Sequence, residues 1–370
     1  MMQRRARGAD WPQVRALWKE CFGDSDRFLD WWEKNRWNPD YSYVSSDGDR
    51  ICTSIQGWPF LLNVRGRAVD AVLLAGISTR PDCRGMGLMN KTLRFLMNDM
   101  RLRGIPAVFH TPVDPKVYFR ALHYTVSDGL LLSGAAQGEA EPDPAVREGD
   151  ISADFEGIRA AYSAAASRYS GMALRTAADM RRKAADYTCD GGKLKVYEKD
   201  GLITGYAFYY DLDEGVVCPE CLASSDGEYE ALCGALSAMA GGRKVSAKLP
   251  PDVRLGPPFA ERAKARPKGS MGIADVGAVL AAVGGPEGCA VEIRDEIVPE
   301  NGGIWTLNGK RADIPPCASM DAGRLAQLLC GYKSLSELAG EGNAAILDPE
   351  GAKRIDAALP KTPCWVADEY

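Results

Sequence analysis

Residues 71–100 read AVLLAGISTRPDCRGMGLMNKTLRFLMNDM, and this stretch decides the fold. It opens with Ala71–Ile77, a continuous apolar run typical of a strand that is buried on both faces. Pro81 ends the run, and two glycines follow before a helical pattern begins. In that helix the apolar side chains recur at helical spacing, at Met89, Leu93, Leu96, Met97 and Met100. The stretch therefore predicts a strand, a glycine turn and a helix in direct succession.

The glycine turn has the chemistry of a pyrophosphate site, and we call Arg84–Leu88 the cradle. Gly85 and Gly87 let backbone N–H groups approach a ligand closely, and the helix start adds unpaired N–H groups and a positive dipole end. Arg84 adds a charged donor for phosphate. The plainer interpretation of the glycines is a tight strand-to-helix turn. The pattern is neither a P-loop, because no Gly-Lys-Ser/Thr follows, nor the dinucleotide fingerprint, because a third glycine is missing.

Length and composition bound the class of protein. The 370 residues predict two or three domains, and 46% apolar residues suffice for buried cores. The formal net charge of −5, with acids and bases interspersed, argues against a nucleic-acid surface. No apolar run reaches the roughly 18 residues of a membrane span, and the basic start Met1–Arg5 lacks the apolar core of a secretory signal. We therefore expect neither a nucleic-acid nor a membrane partner.

Cysteines and histidines bear on location and metal binding. Eleven cysteines are scattered without a regular framework, which is typical of a reducing cytoplasm. The one C-x-x-C pair, Cys218 and Cys221, has no second pair and no nearby histidine, so it does not indicate a metal site. His110 and His123 are the only histidines of the chain. We therefore predict a cytoplasmic protein that binds no metal.

The segments on both sides of residues 71–100 predict a mixture of helices and strands, typical of an α/β fold. Two helices over 11–36 carry tryptophans that we expect in the core, although such aromatic residues also suit the wall of a substrate pocket. The remaining elements predicted in the first part of the chain are strands at 41–44, 51–56, 59–64 and 107–110 and a short helix at 115–122.

Two further segments follow this first part. Residues 134–150 are rich in Gly, Ala, Glu and Pro and predict a linker. Helix and strand patterns start again over 155–248, but no glycine cradle accompanies them. After a second proline-rich junction at 250–267, short helices and strands begin at Met271.

The string Ile77–Leu88, ISTRPDCRGMGL, resembles the acetyl-coenzyme A motif of the GNAT superfamily of N-acetyltransferases. In that motif Arg/Gln-x-x-Gly-x-Gly/Ala follows the fourth strand, and Asp82 departs from it at the first position. The whole chain resembles the Eis-like (enhanced intracellular survival) N-acetyltransferases. The further marks of that group are Phe22-Gly23-Asp24, Gly331-Tyr332 with Leu335 and Leu338, and an aromatic last residue after Trp365.

The resemblance implies an α/β (α+β) architecture of three domains. Residues 1–135 would form an N-terminal GNAT acetyltransferase domain, and 145–265 a second, degenerate GNAT-like domain. Each would have a mixed, mostly antiparallel central sheet flanked by helices. Residues 268–370 would form a sterol-carrier-like α+β domain. The resemblance also implies a homo-oligomer, trimeric or hexameric.

The implied activity is transfer of an acetyl group from acetyl-coenzyme A to a primary amine of a small molecule or a lysine. In such a site, the terminal carboxylate of Tyr370 would accept the proton of the amine. Backbone around Ile77–Thr79 would serve the pantetheine arm and the thioester carbonyl. The residues expected to bind the cofactor are Ile77, Ser78, Thr79, Arg84, Gly85, Met86, Gly87, Leu88 and Met89.

The general acid is where this sequence departs from the superfamily, whose pattern after the fifth strand is Phe-Tyr-x-x-x-Gly-Phe. Phe119 stands in the tyrosine position, Tyr118 lies one residue earlier, and His123 replaces the glycine. One residue on an α-helix is a rotation of about 100°. Tyr118 can therefore protonate the leaving thiolate only if the helix is shifted or wound differently; otherwise it is an ordinary core or surface tyrosine.

Three functions remain open at this level. The first is an active N-acetyltransferase; the second, motivated by Phe119 and His123, is a weakened relative that binds coenzyme A or an acyl-coenzyme A as a sensor. The third is a lipid-binding module in the last domain. The acceptor amine is equally open. Asp24 and Glu33, close to aromatic residues, could attract a cationic amine, or they are solvated helix charges.

Overall fold

The computed structural model describes residues 1–135 and 143–369. Its strands in chain order are β1 (Met2–Arg5), β2 (Tyr43–Asp47), β3 (Arg50–Val64), β4 (Arg67–Thr79), β5 (Ala107–His110), β6 (Tyr124–Ala135), β7 (Val146–Glu148), β8 (Lys193–Lys199), β9 (Leu202–Leu212), β10 (Gly215–Leu222), β11 (Lys244–Leu249), β12 (Ala263–Ile273), β13 (Ala290–Arg294), β14 (Gly303–Thr306), β15 (Ala318–Asp321) and β16 (Ala344–Ile346). Its α-helices are α1 (Trp11–Phe22), α2 (Asp26–Asn35), α3 (Leu88–Leu102), α4 (Phe155–Arg168), α5 (Ala177–Cys189), α6 (Asp226–Ala240), α7 (Val276–Val283), α8 (Ala322–Cys330), α9 (Leu335–Gly340) and α10 (Pro349–Ala358).

The chain divides into two compact units. The first comprises residues 1–127, 170–173 and those from 268 onward, and the second comprises 128–169 and 174–267. The first unit therefore holds both the first and the third of the predicted segments. The predicted domain boundaries themselves stay a prediction.

The first unit confirms the strand, turn and helix predicted for residues 71–100. Its sheet runs in the order β1-β2-β3-β4-β5-β12, and β4 is parallel to β5. The connection between these parallel strands is α3, as a crossover requires. α3 buries its predicted apolar stripe against the sheet, with Leu93, Leu96 and Met100 fully enclosed.

One strand replaces two predicted ones in this sheet. Residues 51–56 and 59–64 were predicted as separate strands, but β3 runs through both without a break. Pro59 made the break plausible, because proline lacks the N–H that a central strand needs. β2 pairs with β3 only as far as Ile55, so Pro59 forms ladder bonds with β4 alone and its missing N–H costs no pairing.

The third segment folds around its own small sheet, in the order β14-β13-β15-β16. Four helices, α7 to α10, belong to this segment, and α8 is buried along most of its length. β15 and β16 were not predicted. β15 reads Ala-Ser-Met-Asp and β16 Ala-Ala-Ile, so each is too short to display a strand pattern that differs from its surroundings.

The second unit repeats the strand order of the first. From Asp128 onward its sheet runs β6-β11-β10-β9-β8-β7, with β10 parallel to β11 and α6 between them in the chain. β6 and β7 occupy parts of the predicted linker at 134–150, so the linker prediction was wrong there, and residues 136–142 lie outside the description. Within the described residues, no helix has the length and apolar composition needed to cross a membrane.

Candidate functional site

A cleft opens at the end of β4, where its pairing with β5 ends and its register with β3 shifts. β4 pairs with β5 only as far as Leu73. On its other side the register with β3 shifts by one residue, so that Gly76 and Ile77 lie opposite Ile55 alone. Two residues opposite one form a β-bulge, which leaves the extra residue without a ladder partner. The end of β4 therefore has backbone groups available beside an open cleft.

The cleft lies between the end of β4 and the segment that follows β5. About 280 Å³ of it is accessible to water, and it is lined by Phe22, by residues 74–77 and 110–114, and by Val117 and Tyr118. Among the described lining residues, Asp114 is the one with an acidic side chain. The cradle residues are not part of this lining, so the cleft and the cradle are distinct parts of the site.

Gly76 is required at the bulge. Its φ is +54°, and a Cβ there would come within 2.6 Å of the Trp18 ring. Trp18 is almost fully buried, as predicted for a core tryptophan, and its Nε1 donates to Asp24 Oδ2 at 2.7 Å. Asp24 is thus held by α1, and neither it nor the exposed Glu33 lines the cleft.

The cradle follows β4 after a short 3-10 helix, Pro81–Cys83, and is open. Gly85 and Gly87 have φ angles of +79° and +70°, and a Cβ at either would meet nothing within 4 Å. Gly87 is the N-cap of α3 and provides no side-chain acceptor, so the first N–H groups of the helix have no capping oxygen. Arg84 is exposed, and its Nε donates to Thr79 O at 3.3 Å. This arrangement suits an anionic group such as a diphosphate.

Most side chains within and beside the cradle are at least partly buried. Leu88 packs in the interior against Cys52 and Cys83, and Met89 is half-buried on the apolar cluster beneath α3. Ser78 is buried as well, and among the described residues its hydroxyl has no hydrogen-bond partner. Met86, in contrast, is half-exposed within the turn. Of these predicted cofactor residues, Ser78, Leu88 and Met89 can therefore offer mainly their backbone.

Asp82, which departs from the GNAT motif, is paired. Its carboxylate accepts a short hydrogen bond from Arg50 and lies 3.5 Å from Arg80 Nε. The hydrogen bond from Arg50 keeps the pKa of Asp82 below its ordinary value. An acid next to a phosphate site would otherwise repel the ligand, and this pairing offsets its charge.

Tyr118 lies on a 3-10 helix, Pro115–Ala121, where a short helix was predicted. A 3-10 helix turns about 120° per residue instead of 100°, so its side chains do not follow α-helical spacing. Tyr118 lines the cleft, whereas Phe119 lines a separate hollow and packs on Tyr124 with ring centroids 5.1 Å apart. Burial raises the pKa of Tyr118 to about 12, so the hydroxyl is protonated at neutral pH.

The two histidines form a buried pair beside the cleft. His110 Nε2 and His123 Nδ1 are 3.1 Å apart, and the ring of Tyr118 packs edge-on against His110 at 4.5 Å. Burial lowers the pKa of His123 to about 4. Burial, aided by His123, lowers that of His110 well below its ordinary value. Gly272 leaves room for the His123 ring, since a Cβ there would come within 2.3 Å of it. Both rings are therefore neutral at pH 7.

The C-terminal segment docks in the first unit as far as the structure describes it. Residues 365–368 are at most 2% exposed. The Val366 N–H donates to Ser127 Oγ at 3.1 Å, and the Trp365 N–H donates to Ser170 O at 2.8 Å. Tyr370, which was predicted to supply the base, lies outside the described residues.

Sequence reasoning missed three features of this site: the bulge at Gly76, the contact of Trp18 with it, and the pairing of the two histidines. Gly76 did give a signal, because an isolated glycine inside an apolar strand pattern indicates a bulge or a close backbone approach. The other two gave none, since their contacts join distant parts of the chain. Among the described residues, no group of His, Cys, Asp and Glu is arranged to hold a metal ion.

Comparisons with known proteins agree with this geometry. Residues 3–122 match the acetyltransferase (GNAT) domain family, and residues 276–367 match the sterol carrier protein domain family. No curated protein sequence is recognisably similar to the chain.

Solved structures match over the full length. A GCN5-related N-acetyltransferase from Anabaena variabilis is 15% identical with a TM-score of 0.82, and each chain is covered to 100%. A probable N-acyltransferase from Enterococcus faecalis is 15% identical with a TM-score of 0.81, covering 100% of this chain and 99% of the other. Eis1 from Mycobacterium abscessus is 18% identical with a TM-score of 0.74, with both chains covered to 100%. The chain is therefore an acyltransferase with a GNAT acetyltransferase domain, a sterol carrier protein domain and an Eis-like fold.

Proposed function

We propose that the chain transfers an acetyl group from acetyl-coenzyme A to a primary amine of a small molecule or a lysine side chain. The observation that carries this proposal is the uncapped glycine cradle, which follows a bulged strand that lines a cleft after a single 3-10 turn. The cradle fits the phosphates of the cofactor, because a Cβ at Gly85 or Gly87 would meet open space and Arg84 is exposed beside them.

Within this proposal, Arg84 and the backbone of Gly85–Leu88 hold the pyrophosphate, and backbone of Ile77–Thr79 lies along the pantetheine arm. When bound, acetyl-coenzyme A supplies the acyl thioester. The bulge at Gly76 and Ile77 leaves backbone groups without a ladder partner. N–H donors at this point of β4 would stabilise the negative charge that develops on the carbonyl oxygen.

Tyr118 is the proposed acid. Its position in the cleft supports this role, and its pKa of about 12 keeps the hydroxyl protonated. A coenzyme thiol has a pKa near 8.5, so full proton transfer from such a tyrosine is uphill by roughly 5 kcal/mol. We infer that Tyr118 stabilises the leaving sulfur mainly by donating a hydrogen bond to it.

The proposed base is the terminal carboxylate of Tyr370. The histidine pair is a poor alternative, because burial holds the pKa of His123 at about 4 and lowers that of His110. A carboxylate is ionised at pH 7 and can receive the amine proton through water, besides attracting a cationic acceptor. Docking of residues 365–368 in the same unit supports a fixed position for the tail.

Two other functions compete with this one. The hypothesis of a coenzyme A sensor rested on Phe119 in the tyrosine position. Tyr118 lines the cleft and can take the place of that tyrosine, so the hypothesis has less support. A lipid-binding role of the last domain would show as a co-purifying lipid. By the same resemblance we propose a trimeric or hexameric homo-oligomer, and from the scattered cysteines we propose a location in the cytoplasm.

Removing the Tyr118 hydroxyl tests the transferase directly. Tyr118→Phe should lower kcat for amine acetylation by about a hundredfold, the lower end of general acid contributions, while the Kd for acetyl-coenzyme A stays unchanged. Steady-state acetylation assays and calorimetric titration measure the two quantities.

Tyr124→Phe is the matched control, because it removes the same atom from a tyrosine outside the cleft, and it should keep wild-type kcat. Wild-type turnover by Tyr118→Phe would remove Tyr118 from the mechanism. Coenzyme binding without acetylation of any amine would favour the sensor.

A further inference from the structure

A second concave site, which we call the hollow, opens in the first unit beside the small sheet of the third segment. Its lining residues are Phe119, Arg120, Leu122, Arg294, Glu296 and Asp321. About 560 Å³ of the hollow is accessible to water, twice the volume in the cleft. Phe119 and Tyr118 are neighbours in the chain but line different cavities, so the hollow is separate from the cleft.

The hollow lies at the carboxyl ends of two parallel strands. β13 and β15 are parallel, and their last residues, Arg294 and Asp321, are register partners. The chain leaves β13 towards β14 on one side of this pair, and it leaves β15 towards α8 and then β16 on the other side. In α/β sheets, ligands bind in the crevice outside the carboxyl ends of strands where the chain turns to opposite sides in this way. The topology therefore favours a ligand at this edge.

Three of the four charged side chains around the hollow have no counter-ion. Arg120, Arg294 and Glu296 are exposed, and within the part of the chain that the structure describes their side chains make no hydrogen bond or ion pair. Arg294 has Asp321 as its register partner, yet no ion pair joins the two side chains. Two guanidinium groups and one carboxylate around one concave surface are thus available to a charged ligand.

The fourth charged group, Asp321, already has partners. It is the N-cap of α8: its Oδ1 accepts the Arg324 N–H at 2.9 Å, and its Oδ2 accepts from the Tyr124 hydroxyl at 3.4 Å. The Arg324 guanidinium lies over the Tyr124 ring, 3.8 Å from its centroid, and its attraction for Asp321 partly offsets the charge of that carboxylate. The charge that remains open to a ligand is that of two arginines and Glu296, which is net positive.

We propose that the hollow binds an acidic α-amino acid, whose two carboxylates pair with Arg120 and Arg294 and whose ammonium group pairs with Glu296. A guanidinium forms paired hydrogen bonds with a carboxylate, and each charge of the ligand then meets an opposite charge. Phe119 and Leu122 provide apolar surface for the methylene groups between those charges. A phosphate or a simple dicarboxylate would instead leave Glu296 facing an anion.

This site goes beyond the proposed transfer reaction, because none of its residues belongs to the cleft or to the cradle. The test compares L-glutamate with two molecules that each lack one of its charges: glutarate has no ammonium group, and 4-aminobutyrate has a single carboxylate. Calorimetric titration of the full chain, saturated with coenzyme A so that no acetyl group is transferred, should show L-glutamate binding roughly tenfold more tightly than either. Each missing group leaves one charge of the hollow without its partner.

Arg294→Gln removes one guanidinium and should raise the Kd for L-glutamate by roughly tenfold. Glu296→Gln should abolish the preference over glutarate, because the carboxylate that recognises the ammonium group is gone. Both residues are exposed, so the fold should tolerate these changes. Arg27→Gln is the matched control: Arg27 is exposed on α2 and outside the lining, and this variant should keep the wild-type Kd.

No binding of L-glutamate, equal binding of glutarate or 4-aminobutyrate, or an unchanged Kd in Arg294→Gln would each overturn the inference. Tighter binding of inorganic phosphate than of L-glutamate would do the same, because it would identify a plain anion site. L-Glutamate is itself an amine and so a candidate for the cleft, but binding there would not respond to Arg294→Gln. This variant therefore distinguishes the two positions.

Discussion

The helix after β4 and the helix after β10 begin in opposite ways, although both connect parallel strands. α3 follows Gly87 and has no side-chain cap. α6 follows Ser225, whose Oγ accepts the Glu228 N–H at 3.4 Å, while the Glu228 carboxylate accepts from Ser224 N and Oγ at 2.9 and 2.8 Å. The first helix start is open to an anionic ligand, whereas the second is occupied by the oxygens of its own chain.

The preceding strands differ in the same sense. β4 has its bulge at Gly76 beside a cleft. β10 also shifts register, but Glu220 at that point is fully buried and accepts from Arg175 at 2.7 and 2.9 Å and from Tyr206 at 2.6 Å. Burial alone would raise the pKa of Glu220, yet the charge and hydrogen bonds of Arg175 outweigh it and lower the pKa to about 2. The same strand order thus supports an open site in one unit and a closed ion pair in the other.

The largest effect expected from this comparison is on the closed ion pair. Glu220→Ala leaves the buried Arg175 guanidinium without its carboxylate and should lower the free energy of unfolding by about 3–5 kcal/mol. Denaturant unfolding measures this change. Because Glu220 is not part of the cradle, the Kd for acetyl-coenzyme A should stay as in the wild type.

The double variant Glu220→Leu with Arg175→Met is the control for this ion pair. It replaces both charges by apolar side chains and should recover most of the loss. A loss below about 1 kcal/mol in Glu220→Ala would contradict the role of the pair.

Lowering the pH should destabilise the first unit more than the second, by less than the loss expected from Glu220→Ala. The folded pKa values of His110 and His123 lie below the unfolded reference of about 6.5, so their contribution to stability is complete above that pH and declines as the pH falls. For His123, with a folded pKa of about 4, the loss between pH 7 and pH 5 is about 2 kcal/mol. Glu220, whose folded pKa is about 2, loses its contribution only below the unfolded reference of about 4.3, as the pH falls towards 2.

Hydrogen exchange resolves this difference between units. Amide protection in β5 should fall from pH 7 to pH 5, while protection in β10 should hold. His123→Gln removes one titrating ring and should reduce the fall. Equal losses in both strands would contradict the assignment to the histidines.

The smallest expected effect is a change in cofactor affinity, and it is tested at two glycines that cap helices. Gly87→Val forces a β-branched residue to a φ of +70° and obstructs the cradle, so the Kd for acetyl-coenzyme A should rise by about tenfold. Gly241→Val, at the C-terminal end of α6 with a φ of +59°, is the matched control.

Both variants should lose about 1–3 kcal/mol of stability to strain, but only the first should weaken binding. Titration calorimetry and thermal unfolding measure these effects. Unchanged affinity in folded Gly87→Val would mean that the cradle is misplaced.

Much of the fold could be predicted from local patterns. The strand, turn and helix of residues 71–100 and the second set of helices and strands over 155–248 were visible in the sequence. β15 and β16 were not, because very short strands have too few residues to display a period. The continuous strand β3 was missed because a proline is tolerated in a strand only where one of its two edges is unpaired. At Pro59 this edge is unpaired because β2 ends before it, and the sequence does not show where β2 ends.

The candidate site could be predicted in part. The glycine turn and the helix start of the cradle were predicted correctly because their residues are neighbours in the chain. That they hold a phosphate group stays a prediction. The acid was left undecided between two outcomes, and the winding of the 3-10 helix brings Tyr118 rather than Phe119 to the cleft.

The sequence by itself determined the strand, glycine turn and helix of residues 71–100 and the restart of helix and strand patterns after residue 155, because each depends on neighbouring residues. Only the tertiary structure decided the bulge at Gly76, the pairing of His110 with His123 and the burial of Arg175 against Glu220. Sequence periodicity predicts which side chains share a face of a strand. The register between distant segments decides which residues that face contacts. The functional difference between the two units arises at this second level.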